Sequence, residues 1–263
     1  MPHLRCTRRV IRLAVVVGIM LGGRATDAAT IQCGAVLGSG GVYTLTEDLD
    51  CTGTPMEVAL TVRDGATLDM AGHQLRTSSG GALEGVRLEG EGARLQYGSI
   101  EGDGVTGVLV VGTGGHHVQG IRVGSNIGAG VIVTSAHNRL ISNETQTLFE
   151  GFNIDGDDNW LIGNRAYYAD AGFNINGHGN PMLRNRTAQG IFGVFVTGDH
   201  NRLIGNTIST LGDTGINVSG EDNLIWRNVA VDNLPDAFDN HGDCTHNRWV
   251  NNTFNTVNPA CIE

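Results

Sequence analysis

Three carboxylates crowd one short stretch, Asn153-Ile154-Asp155-Gly156-Asp157-Asp158, and His178 follows within Gly177-His178-Gly179. A pair of carboxyl groups flanking a glycosidic bond can serve as acid and as the base that activates water. Asp155, Asp157, Asp158 and His178 are therefore the first candidates for catalysis. The same oxygen-rich corner could hold Ca²⁺ through oxygen ligands, and no cofactor is required by these residues. Arg165, Arg184 and Arg186 offer planar guanidinium forks that grip carboxylate or sulfate groups, as on an anionic glycan. Asn153, Asn174, Phe195 and Asn217 recur at one phase of the chain, and Asp239 is expected to continue their column. Two residues after the first two and Phe195, and again after Asn217, come Asp155, Asn176, Thr197 and Ser219. Amides beside an exposed aromatic suit sugar hydroxyls and the face of a sugar ring. Tyr168, next to Tyr167, is a further stacking candidate. His241 and His246 are two histidines near the C-terminal end, and no metal is assigned to them.

Some chemistry is excluded outright. All 17 basic residues are arginine, so no mechanism needing a lysine base, a Schiff base or a P-loop lysine is available. Residues 1–29 read as an export signal: Arg5, Arg8, Arg9 and Arg12, then an apolar run from Leu13 to Leu21, then Ala25, Ala28 and Ala29. A twin-arginine leader and a general secretory leader both fit. Without that segment the chain has 12 arginines against 26 acids, a formal charge of −14, which argues against nucleic-acid binding. No other long apolar run follows, so no membrane span is expected in the mature chain, which is read as a periplasmic or secreted monomer. The exported part keeps Cys33, Cys51, Cys244 and Cys261. Three pairings are open, and Cys33–Cys51 with Cys244–Cys261 is favoured because each closes a short loop at one end. No CxxC spacing points to a metal site.

What positions these residues is a repeat. Glycines 85, 107, 130, 151, 172, 193 and 215 are spaced by 22, 23, 21, 21, 21 and 22 residues. Five units begin GVIV, GFNI, GFNI, GVFV and GINV. Asn138, Asn159, Asn180, Asn201 and Asn223 follow those glycines, and then Asn143, Asn164, Asn185, Asn206 and Asn228. Short β-branched runs between Gly/Asn turns indicate strands, about three per unit. The period predicts a coil of three short parallel strands per turn, stacked at about 4.8 Å. Val131/Val133, Phe152/Ile154, Phe173/Ile175, Val194/Val196 and Ile216/Val218 alternate with outward residues and are expected to fill the bore. The asparagine columns are expected at the turns, bonded amide to amide along the axis and supplying left-handed conformations.

This unit, G-[VIF]-x-[VI]-x-G-x-x-N-x-[LMI]-x-x-x-N, resembles the right-handed parallel β-helix repeat family, which includes pectate lyases, polygalacturonases and alginate epimerases. The resemblance covers about residues 58–252. It implies an all-β, single-stranded right-handed solenoid of about eight coils with disulfide-stapled ends. Residues 30–57 and 236–263 are expected to act as N- and C-terminal caps around a solenoid of residues 58–235. The N-x-D-G and G-H-G elements are similar to those of polygalacturonase-like hydrolases, in which Asp155, Asp157, Asp158 and His178 would carry the reaction. The first two hydrolase elements are fused here, and the family's Arg-Ile-Lys element is missing. The resemblance to calcium-dependent lyases implies an arginine base, for which Arg165, Arg184 and Arg186 are candidates.

Charge also repeats. Acids fall before the first asparagine column (Asp155, Asp157, Asp158, Asp199, Glu221, Asp222), and arginines fall on the next face (Arg139, Arg202, Arg184, Arg227, Arg165, Arg186). The expectation is an exported protein that binds or processes polysaccharide, lyase- or hydrolase-like, through Asn153, Asn174, Asn176, Phe195, Asn217, Arg165 and Tyr168, with Asp155, Asp157, Asp158, His178 and Arg186 as catalytic candidates. The alternative is a non-catalytic glycan-binding or cell-envelope scaffold protein, favoured by the absence of any long loop that would build a deep cleft.

Overall fold

Glu150–Ile154, Trp160–Ile162 and Arg165–Tyr167 make one turn, and Ala171–Ile175 begins the next one stacked on Glu150–Ile154. The same path repeats along the chain, so the molecule is an all-β parallel solenoid. The computed structural model describes residues 30–262 apart from 54, 79, 104, 105, 125, 126 and 210. The export segment read at residues 1–29 lies outside the described residues. One strand of each turn joins an eleven-stranded parallel sheet, here called the first sheet. The other two strands of each turn form the second sheet, which wraps the remaining sides.

The solenoid has about ten turns, where eight were expected. The additional turns come from the two ends. Ala35–Leu37, Val42–Thr44 and Leu49–Asp50 already pair in parallel with the turn that follows them. Ala237–Asp239 and Val257–Asn258 extend the first sheet at the other end. The N-terminal end lacks the glycine-asparagine signature by which units are recognised in sequence, and the C-terminal turn keeps its asparagines, Asn247 and Asn252, with Asp236 in place of the glycine.

The bore is filled as the alternation requires. Val131, Phe152, Phe173, Val194 and Ile216 are register partners in succession, and all are buried. A one-residue slip would turn this whole column outward, so burial fixes the register. Phe152 and Phe173 lie with ring centroids 4.8 Å apart and planes 5° from parallel, the spacing the strands themselves impose. The repeat glycine is fixed by close approach: a Cβ on Gly151 would come within 2.5 Å of the Gly172 carbonyl oxygen.

Both asparagine columns are stacked and buried, with Asn159, Asn164, Asn180 and Asn201 fully enclosed. Their bonding differs in part from the expected amide-to-amide ladder. The recurring bond runs from the backbone N–H of one asparagine to Oδ1 of the next: Asn138 to Asn159 at 2.8 Å, Asn159 to Asn180 and Asn180 to Asn201 at 2.7 Å, Asn201 to Asn223 at 2.8 Å. The second column repeats this from Asn143 through Asn164, Asn185 and Asn206 to Asn228. Side-chain amides bond one another as expected at every step of the second column from Asn143 to Asn252, and in the first column between Asn138 and Asn159 and between Asn223 and Asn247. Nδ2 of Asn164 and Asn185 also donates to the Leu140 and Leu161 carbonyls of the preceding turn.

The left-handed conformations belong to the residue before each asparagine. His137, Asp158, His200 and Asp222 precede the first column, and Ser142, Arg184 and Arg227 the second, all with φ between 53° and 58°. That kink swings the following asparagine inward, where its amide can meet backbone groups above and below. Short polar residues tolerate this conformation better than most, which accounts for much of the Asp and Ser at these positions.

Disulfides Cys33–Cys51 and Cys244–Cys261 tie the two ends, spanning 18 and 17 residues of sequence. This is the pairing favoured by loop closure. Near the C-terminal end, buried Asp236 accepts hydrogen bonds from the backbone N–H groups of Asn233, Asn255 and Thr256. No helix among the described residues is long and apolar enough to cross a membrane.

Candidate functional site

Strand alternation sorts the candidates onto separate surfaces. On the outer face of the first sheet, Ile132, Asn153, Asn174, Phe195, Asn217 and Phe238 are consecutive register partners. Beside them runs a hydrogen-bonded polar row. Asn176 Nδ2 donates to Asp155 Oδ1 at 2.8 Å and to Asn153 Oδ1 at 3.3 Å. Thr197 Oγ1 donates to Asn176 Oδ1 at 2.8 Å. Further along, Asn240 Nδ2 donates to Asn217 Oδ1 at 3.1 Å and also reaches Ser219 Oγ. Phe192 and Phe195 meet at 5.0 Å with a 51° tilt, both half-buried. The structure thus brings Asn153, Asp155, Asn174, Asn176, Phe195 and Asn217 together.

Asp239 does not continue this column. Its place is taken by Phe238, because the last unit is one residue shorter than a 22-residue spacing assumes, and one residue reverses the face. Asp239 points inward and is buried. It accepts Trp249 Nε1–H at 2.9 Å and Asn247 Nδ2 at 3.3 Å. Burial would raise its carboxyl pKa. The hydrogen bonds from Trp249, the His241 backbone, Asn247 and the His241 ring outweigh that and hold it below the ordinary carboxylate value.

Asp157, His178, Asp199 and Glu221 stack on the corner between the sheets. Asp157 Oδ1 accepts the His178 N–H at 2.7 Å, and His178 Nδ1 accepts the Asp199 N–H at 2.9 Å. Asp199 Oδ1 accepts the Glu221 N–H at 2.8 Å. These side chains satisfy the backbone of the next turn. The turn is tight: a Cβ on Gly156 would sit 2.0 Å from the Ser135 carbonyl oxygen. Asp158 stands exposed one residue further on, 3.8 Å from His137 Nδ1.

Arg165 and Arg186 lie elsewhere, paired in register on the second sheet, and Tyr168 is exposed at the loop after Arg165–Tyr167. They do not share a surface with Asp155. Arg165 Nη1 is 4.0 Å from Glu144. Of the two C-terminal histidines, His241 stacks on His246 at 4.4 Å and contacts Asp239 at 3.1 Å. Among the described residues, no group of three or more His, Cys, Asp or Glu side chains is arranged to hold a metal ion.

The family model described as a right handed beta helix region matches residues 106–254, more than half of the chain. The chain belongs to the right-handed β-helix family. The matched range opens with Thr106–Val110 and the long strand His117–Gly124, and three short strands per turn become regular from Ala129–Val133 onward, where the asparagine columns begin. No curated protein matches the chain.

Two features of this β-helix escaped sequence reading. Glu150 lies on the first-sheet face, its Oε1 3.4 Å from Asn174 Nδ2. It stands one residue before the repeat glycine, where the register partners are Ala129, Ala171 and Phe192, an offset that carries no periodic signal. The second is a cleft on the corner beside Arg202 and Arg248, lined also by His200 and His246. Its walls come from three successive turns, so only the stacking assembles it.

Proposed function

We propose that this exported β-helix protein binds extracellular or periplasmic polysaccharide, as a monomer, on the outer face of its first sheet. The fold is one often found in proteins that act on polysaccharides. The observation that carries the reading is the register column Asn153, Asn174, Phe195 and Asn217, flanked by the bonded row Asp155, Asn176 and Thr197. Amide groups held in place by neighbours offer fixed donors and acceptors to sugar hydroxyls, and the Phe192/Phe195 pair offers a ring face. Two disulfides accord with an oxidising compartment.

Binding without turnover fits the geometry better than hydrolysis. Glu150 and Asp155, two carboxylates of the face, each accept from a neighbouring amide, Glu150 from Asn174 at 3.4 Å and Asp155 from Asn176 at 2.8 Å. Asp157 and His178 are engaged in backbone hydrogen bonds, and Arg186 faces away on the second sheet. A lyase or hydrolase reading keeps one supporting observation: Asp155, Asp157 and Asp158 are exposed together at the corner next to the face.

The test is a panel of neutral and uronate glycans, with and without Ca²⁺. Retained affinity with no new reducing ends and no unsaturated products is the expected result. Turnover that disappears in Asp157→Asn would replace this reading with the enzymatic one.

A further inference from the structure

Three second-sheet strands stack toward the C-terminal end: Arg202–Ile204, Leu224–Trp226 and Arg248–Val250. Their first residues, Arg202, Leu224 and Arg248, are successive register partners. The two arginines are exposed, and Leu224 between them is half-buried. A leucine between two longer side chains leaves a hollow with a floor of carbon. A buried asparagine precedes each strand, Asn201, Asn223 or Asn247. One residue earlier stand His200, Asp222 and His246, all exposed, and they form the opposite wall. The cleft between the walls measures about 390 Å³, within the range of small-ligand sites.

Charge is divided between the walls. Arg202 and Arg248 stand on one, two strand spacings or roughly 10 Å apart at the backbone. Among the described residues no carboxylate pairs with either of them. Asp222 stands on the other wall. Its partner is His200 Nε2 at 3.5 Å, with both side chains 70% exposed, so water screens the pair and little is lost by exchanging it. The far part of this wall is held in place. The Thr245 N–H and Oγ1 both donate to Asp243 Oδ1 at 3.0 Å, and Cys244 between them is tied to Cys261.

We propose that this cleft binds a free aliphatic α-amino acid. Its carboxylate lies between Arg202 and Arg248, whose guanidinium forks match that group. Its ammonium meets Asp222, and its side chain packs on Leu224 and the methylene stems of the arginines. The walls are two residues of chain apart, at most about 7 Å. Two ion pairs of about 2.8 Å take up most of that distance, which leaves room for a carboxylate and an ammonium on one carbon. A chain of acidic groups fits worse, because it brings no cation to Asp222 and sets like charge against it. This site lies away from the glycan face proposed above and does not rest on it.

The test is calorimetric titration of the disulfide-bonded protein with leucine and with two molecules that each lack one of its charges, 4-methylpentanoate and 3-methylbutylamine. Saturable binding of leucine is expected, at least about tenfold tighter than either analogue and without competition from polygalacturonate oligomers. Arg202→Gln/Arg248→Gln should erase the advantage of leucine over 3-methylbutylamine. Asp222→Asn should erase its advantage over 4-methylpentanoate. Melting should be unchanged in both, since the arginines are exposed and asparagine tolerates the left-handed backbone at position 222. No saturable binding of leucine, equal affinity for 4-methylpentanoate, full leucine affinity kept in either variant, or displacement of leucine by polygalacturonate would each overturn the proposal.

Discussion

Asn164 accepts two hydrogen bonds from Asn143, through its backbone N–H and its side chain, and donates to the Leu140 carbonyl. Removing it takes these partners from the buried Asn143 N–H and the Leu140 carbonyl, while Asn143 Nδ2 keeps the Val118 carbonyl. Asn164→Ala is expected to lower stability by about 2–4 kcal/mol in urea denaturation, while exposed Asn176→Ala changes it by less than about 0.5 kcal/mol. Gly156→Ala meets a carbonyl oxygen rather than a flexible side chain, so relief requires moving the turn. A loss of about 1–3 kcal/mol is expected from the same measurement. His116 contributes to the loss of stability in acid. It is fully buried, with Nδ1 accepting the Ala93 N–H at 3.1 Å and Nε2–H donating to the Val111 carbonyl at 2.9 Å. Burial, opposed by those two bonds, lowers its pKa. The folded state keeps it neutral where the unfolded chain already takes up a proton, near pH 6.5. Its contribution is therefore complete above about pH 6.5 and lost as pH falls from there through the lowered folded value. Stability should be lower at pH 5 than at pH 7.5, and His116→Gln should narrow the difference.

At the scale of the element, each strand has an inward column that sets register and an outward column left free to vary. The inward Phe173 stacks in the bore, so Phe173→Ala is expected to destabilise by about 3–5 kcal/mol, read from the denaturation midpoint. The outward Phe195 shares the strand Phe192–Val196 with buried Val194 and Val196. Phe195→Ala should leave the melting temperature within a few degrees of the parent and lower neutral-glycan affinity, measured by affinity electrophoresis, by about fivefold or more. The column assignments were legible in sequence wherever glycine and asparagine kept their spacing. They failed at Asp239, where Asp236 replaces the glycine and the unit shortens. A single residue there exchanges an exposed carboxylate for a buried one that holds Trp249.

For the whole molecule, the stack has two open ends, and both carry a disulfide. Each closes a loop of 17–18 residues, worth about 3 kcal/mol by loop entropy. Replacing Cys33 and Cys51 by serine should lower the thermal midpoint without changing the far-ultraviolet spectrum of the remaining turns, since each turn contacts mainly its neighbours.

The 21–23-residue period, the filled bore and the stacked asparagine-marked turns were determined by sequence alone, because a stacked parallel coil is the arrangement that satisfies all three repeats at once. Tertiary structure decided which candidates share a surface. Asp155 and Arg186 belong to neighbouring units, yet strand alternation and the turn between them send one to the first sheet and the other to the second. Turn count at the ends and the cleft between Arg202 and Arg248 were decided there too. Both arise from contacts between successive turns, and such contacts exist only once the chain is stacked.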